Sequence, residues 1–305
     1  MLLVPVVAGI SMLVFGLVRF VPGDAVLASL GNQADRQTVS QLRHQLGLDR
    51  PALVQYGDWT SHALRGDFGR SLITKNAVSG EITRRLPITL ELTVFALFFS
   101  IGLGLPLGIL SAVFQDTPTD YILRAVNIVG LSVPSFWLGT LLILAPSIWF
   151  GWVPPFRYVG ITANPWANFQ QFILPGIALG YASSASIGRM TRSNMLEVLR
   201  QDYVRTARAK GLREQAIVLR HVLKSAFIPV LTIIGLQVSY LLAGSVILEQ
   251  IYSLPGLGRL IVDAIFTRDY PVVQAIVVLM ACVYVLVNLA IDVLYAWVDP
   301  RIRYS

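Results

Sequence analysis

The chain has 305 residues, 55% of them hydrophobic and only 13% charged, with a formal net charge of +7. Soluble domains carry about 25% charged residues, so this composition excludes an ordinary soluble fold and points to a polytopic membrane protein. The excess cations cluster in one connecting segment, which assigns them to membrane topology rather than to nucleic acid, and the single cysteine, Cys282, excludes an intrachain disulfide or a cysteine-rich metal site.

Six segments reach the roughly 20 apolar residues that a hydrocarbon core about 30 Å thick requires. They run Leu2–Val21, Thr89–Val113, Tyr121–Phe150, Phe172–Met190, Ala226–Leu248 and Pro271–Val298. The first lacks a basic leading region and is long for a signal peptide, so it reads as an uncleaved helix. The expected fold is all-α: helix 1 over 1–21, an external segment over 22–88, a five-helix core over 89–298, and a tail over 299–305. Within 22–88, Val39, Leu42 and Leu46 recur at helical spacing, and Tyr56, Trp59 and Phe68 add aromatic surface. A small helical cap and a structured loop shielding helix ends both fit that pattern.

Orientation follows the lysines and arginines. The 190–225 loop and its margins carry Arg189, Arg192, Arg200, Arg205, Arg208, Lys210, Arg213, Arg220 and Lys224. The segment between the fifth and sixth spans holds only Arg259 and Arg268, against Glu249, Asp263 and Asp269. The loop and the C-terminal tail are therefore expected in the cytoplasm, and an even number of spans puts the N-terminus there too.

The spans are almost free of titratable groups. Glu91 and Arg124 lie near span starts, and Asp292, two turns before Asp299, reads better as a near-interface residue than as a coupling carboxylate. His44, His62 and His221 stand far apart in polar segments and give no metal-ligand spacing. No P-loop, G-x-S-x-G or H-E-x-x-H pattern occurs, so neither a nucleotide site nor a hydrolytic site is expected. Energy for uphill transport must then come from another subunit. Small residues recur at packing spacing, with Gly104 and Gly108 in one span and Gly176, Gly180 and Gly188 in another. Pro106 and Pro134 are expected to kink their helices.

The strongest local signal is Gln201–Leu212, QDYVRTARAKGL. Asp202 is a good N-cap for a helix from Tyr203, Ala207 and Ala209 favour helix, and Arg208 and Lys210 suit its last turn. Gly211 fits the left-handed position that ends a helix. A second helical stretch is expected from Arg213 to about Phe227, with Pro229 just inside the next span. The short basic helix suits either anionic headgroups or a cleft on a cytoplasmic partner, with Ala207 and Gly211 permitting close approach.

Arg205-Thr206-Ala207, three residues and then Gly211, resembles the coupling loop of bacterial ABC import permeases, whose loose pattern is E-A-A-x-x-x-G. The variant here, preceded by Asp202-Tyr203, is similar to the dipeptide/oligopeptide branch, which includes glutathione and nickel permeases. Val21-Pro22-Gly23-Asp24, Arg189-Met190-Thr191-Arg192-Ser193, Pro255-Gly256-Leu257-Gly258-Arg259, Arg268-Asp269-Tyr270-Pro271 and Asp299-Pro300-Arg301-Ile302-Arg303 extend the resemblance over the whole chain. Members of that branch carry several residues ahead of the first span, so a longer N-terminus is expected. The resemblance implies a type I importer permease with six spans in a bacterial inner membrane. It implies a second permease subunit, two cytoplasmic ATPase subunits that bind ATP and Mg²⁺, and an extracytoplasmic substrate-binding protein touching 22–88 and Leu254–Thr267. It makes Asp202, Tyr203, Arg205, Thr206, Ala207, Lys210 and Gly211 the ATPase-coupling residues, with no catalytic residue or cofactor in this chain. The competing reading is a self-sufficient secondary transporter or channel.

Overall fold

The computed structural model describes residues 3–20, 37, 40, 41, 44 and 49–298. Val21-Pro22-Gly23-Asp24, most of Arg36–Leu48, the tail over 299–305 and the side chain of Asp292 lie outside the described residues. All named elements among the described residues are helical: α1 (Leu3–Phe20), α2 (Ala52–Ala63), α3 (Val78–Val113), α4 (Pro118–Ser132), α5 (Ser135–Phe150), α6 (Pro165–Leu199), α7 (Asp202–Ala209), α8 (Glu214–Ile217), α9 (Leu223–Ile251), α10 (Leu257–Phe266) and α11 (Tyr270–Val298). They fall into two units, one drawn from Met1–Ile88 and Pro255–Leu286, the other from Thr89–Leu254 and Val287–Ser305.

In the first unit, α2 packs on α1 through its aromatic residues. Phe15 meets Tyr56 edge-on at 5.2 Å between ring centroids, Tyr56 stacks with Trp59, and the Tyr56 and Ser11 hydroxyls are 2.7 Å apart. These aromatics thus face α1 rather than forming open surface. Val78, Ile82, Leu257, Ala264, Val272, Ala275 and Ile276 form the core of this unit. The turn before α3 is fixed by the buried Asp269, which accepts hydrogen bonds from the Ser71 hydroxyl and, at 3.0 Å, from the Leu72 backbone N–H.

In the second unit, α6 is the hub, packed against α3, α4, α5 and α9. Its small residues make this possible. A Cβ on Gly104 would sit 2.5 Å from the Ser184 carbonyl oxygen, and one on Gly108 would sit 2.5 Å from that of Gly188. From the other side, Gly180 lies under the Ala96 carbonyl and Gly176 against Phe95. The glycines read from the sequence therefore form one interhelical seam, where backbones touch and van der Waals packing replaces the hydrophobic force that lipid does not supply.

Among the described residues, three helices are each long and apolar enough to cross a membrane: Val78–Val113, Glu214–Ile251 and Tyr270–Ile291. The fourth candidate, α4 with α5, passes the same test as a pair bent by 102°. Val133 is extended ahead of Pro134, because the proline ring disfavours a helical residue before it. The expected single span over Tyr121–Phe150 is therefore broken, while Pro106 leaves α3 uninterrupted. The two remaining expected spans are helical and are not among these. The part of α1 with described side chains, Pro5–Leu17, is apolar, and α6 is rich in glycine and serine that suit a helix buried by its neighbours. Between α8 and α9, Val218–Val222 forms a π-helical turn, so the second stretch expected after Gly211 joins α9 in one rod that runs through Pro229.

Replacing Gly108 by valine should reduce membrane accumulation of the chain to a trace, since a Cβ there would overlap both the Gly188 backbone carbonyl and the Cβ of Thr191, neither of which can swing away. Gly102→Val, where a Cβ meets nothing within 4 Å, should accumulate normally when membranes are blotted for the tagged chain.

Candidate functional site

α7 begins one residue earlier than its sequence indicates. Gln201 is the N-cap and uses no side-chain bond; its carbonyl accepts the Val204 and Arg205 N–H groups at 3.1 and 3.3 Å. Asp202 is the first helical residue rather than the cap, and its exposed carboxylate pairs with Arg205 one turn on at 3.3 Å. That exposed pair contributes little stability.

What holds α7 is its apolar stripe. Val204 (fully buried) and Ala207 pack with Ala112, Met195, Ile217, Val218, Val222 and Ala226. Burying one valine side chain stabilises by about 1.5–3 kcal/mol. The Tyr203 hydroxyl reaches Ser225 Oγ at 3.3 Å, and Arg208 reaches across the following turn to Glu214 at 2.5 Å. Gly211 ends the helix at φ +77°, its N–H donating to the Arg208 carbonyl while the Leu212 N–H donates to that of Ala207. This is the Schellman arrangement that a left-handed residue completes.

The expected coupling residues therefore separate into two sets. Asp202, Tyr203, Arg205, Thr206, Lys210 and Gly211 are exposed, whereas Ala207 is turned into the chain's own core. Ala207 was expected to admit a close partner; its place at helical spacing from Val204 instead gives it to the seam that seats α7.

One cluster escaped the sequence reading. Asp120 has no exposed side-chain surface and is bound at both oxygens by Arg192, at 3.1 Å through Nε and 2.8 Å through Nη2. The Ser111 hydroxyl and the Asp116 backbone N–H also donate to it, and Arg124 Nε lies 3.5 Å away. The carboxylate thus joins the end of α3, the start of α4 and the part of α6 that leads to α7. A signal was available: Thr117 caps α4 and Pro118 follows, placing an acidic residue at the third helical position. Glu249 is a second omission. It was read as part of the connection after the fifth span, but it lies inside α9, fully buried, accepting from the Thr89 hydroxyl at 2.7 Å. Among the described residues no group of three or more His, Cys, Asp or Glu side chains has the arrangement of a metal site.

Residues 104–304 match the model of the family described as binding-protein-dependent transport system inner membrane component, and residues 2–93 match its N-terminal companion model. This chain belongs to that family. The permease is 42% identical to the dipeptide transport system permease protein DppB of Alkalihalophilus pseudofirmus, covering 100% of this chain and 97% of that protein. It is also 42% identical to the glutathione transport system permease protein GsiC of Escherichia coli K12, covering 99% and 96%. Among solved structures, a chain of the inward-facing methionine ABC transporter MetNI matches with a TM-score of 0.58 at 20% identity, over 72% of this permease and 96% of that chain. At that identity the likeness shows a shared fold.

Two outcomes test the site's architecture. Arg192→Leu leaves a buried carboxylate without its main partner, a change that costs about 3–5 kcal/mol. It should lower the thermal unfolding midpoint of the detergent-solubilised permease clearly more than Arg192→Lys, which keeps the charge but not the two-point contact. At Gly211, valine should speed amide hydrogen exchange over Ala207–Leu212, since a left-handed non-glycine residue costs about 1–2 kcal/mol. Asparagine, which tolerates that conformation, should leave exchange close to wild type.

Proposed function

We propose that this chain is a six-span permease, one of two such subunits in an ATP-driven importer of dipeptides, oligopeptides or glutathione, and that α7 transmits the force of the ATPase subunits. The end-to-end likeness to a dipeptide and a glutathione permease supports the substrate class. The observation that carries the coupling role is the division of α7 into a buried seam and an exposed face. Val204 and Ala207 fasten the helix to α6, α8 and α9, while Tyr203, Arg205, Thr206 and Lys210 are open to a partner.

In this reading the N- and C-termini and α7 face the cytoplasm, and α2, α10 and their flanking segments face outward toward a substrate-binding protein. ATP and Mg²⁺ are held by the ATPase pair, and this chain carries out no bond chemistry. Closure of that pair draws the two α7 helices together. A rigid seat is required for such a push to reach the spans instead of bending the loop. The pathway then opens outward, accepts substrate from the binding protein, and returns inward after hydrolysis.

The test is a disulfide trap. In the assembled transporter, with Cys282 replaced by serine, Thr206→Cys should crosslink to a cysteine placed on the surface of the ATPase subunit. The pair Tyr203→Ala and Arg205→Glu should cut ATP-driven uptake at least about tenfold, the scale on which interface hot spots act. Labelled dipeptide, glutathione and Ni²⁺ identify the cargo. Solute accumulation by this chain alone in nucleotide-free vesicles would overturn the proposal and favour a self-sufficient transporter.

A further inference from the structure

A cavity of about 830 Å³ opens between α4 and α6, and Gln201 and Asp202 at the start of α7 form part of its wall. Its volume lies within the ~300–1,000 Å³ usual for small-molecule sites. One wall is a single stripe of α4: Arg124, Asn127, Ile128 and Leu131. The other is a stripe of α6 and its C-cap: Arg189, Ser193, Leu196 and the capping Arg200, with Glu197 beside it.

The lining is chemically mixed. Arg192 is committed to Asp120, and Arg124 leans on the same carboxylate. Arg189 and Arg200, by contrast, are exposed and have no ion-pair partner among the described residues. Glu197 is likewise exposed. Asn127 is only 6% exposed, yet its Oδ1 has no hydrogen-bond partner. That oxygen packs against Gly188 of α6 and has no accessible surface, so it does not face the cavity. Ile128, Leu131 and Leu196 supply apolar surface between the charges.

We infer that this cavity is a subsite for a short zwitterionic peptide on the α7 side of the permease. Arg189 or Arg200 takes the terminal carboxylate, Glu197 the ammonium, and the apolar residues a side chain. The inference rests on the peptide-importer reading above. The carboxylates of Glu197 and Asp202 disfavour a ligand that is anionic throughout, such as a lipid phosphate, and the cations and carboxylates of one lining match the two opposite termini of a zwitterion. An occupant would also touch the first turn of α7, which places bound peptide in direct contact with the proposed coupling element.

The experiment uses the assembled transporter in nanodiscs without binding protein, and a photoreactive dipeptide, alanyl-p-benzoylphenylalanine, compared with its C-terminal amide. The free acid should label peptides spanning 124–131 or 189–202, and unlabelled dialanine should compete. The amide should label about tenfold less, the scale of losing a charged hydrogen-bond partner. Arg189→Gln with Arg200→Gln, in a complex that still co-purifies with its ATPase, should bring labelling by the acid down to that of the amide. Equal labelling by acid and amide, labelling confined to other segments, or displacement by phosphatidylglycerol but not by dialanine would overturn the inference. If labelling fails while the Thr206→Cys crosslink to the ATPase forms, only this subsite falls; if the crosslink also fails, the importer reading falls with it.

Discussion

A carboxylate with no exposed surface must be neutralised where it stands, and in this permease the group that neutralises it comes from another helix. Asp120 at the start of α4 receives both donors of Arg192 from α6, together with the Ser111 hydroxyl from the end of α3. Removing water from a charge costs several kcal/mol, so the three chain segments have one arrangement in which the cost is met. Two-point guanidinium binding fixes direction as well as distance. The same part of α6 runs directly into α7. The ion cluster therefore sets where the exposed basic helix starts.

Above that cluster the contacts change character. Along the seam of α3 and α6, Gly104, Gly108, Gly180 and Gly188 bring backbones together, and the fit is steric. Lipid offers little reason for two apolar helices to associate, so close contact and a few interhelical hydrogen bonds carry the packing. Thr89 with Glu249, and Tyr252 donating to the Gly139 carbonyl at 2.9 Å, add such bonds within the second unit. α7 lies at the point where this rigid packing meets the polar loop. Its short length makes it dependent on that support, because an isolated helix of eight residues is not stable in water. A force applied to its exposed face is thus a force on α6 and α9.

The cavity beside α7 belongs to the same arrangement. α4 and α6 are held together at their shared ion cluster, and the stripes Arg124–Leu131 and Arg189–Arg200 diverge enough to leave open volume. Arg192 and Arg189 are three residues apart on one helix, yet the first has a buried ion-pair partner and the second has none among the described residues.

The order and type of most helices were legible from apolar run length, because a membrane core demands it. The end of α7 at Gly211 was legible because a left-handed turn is cheapest without a side chain. Resemblance along the chain supplied the family and pointed to the loop, and the small-residue spacing pointed to the seam. Tertiary structure decided what periodicity leaves degenerate. It decided that Ala207 faces inward, that Asp202 is not the cap, that the third expected span breaks before Pro134, and that Glu249 and Asp120 are buried. An acidic residue at a helix start looks the same in sequence whether it meets water or a guanidinium seventy residues away. The partner that makes burial affordable is fixed only when the helices are placed side by side.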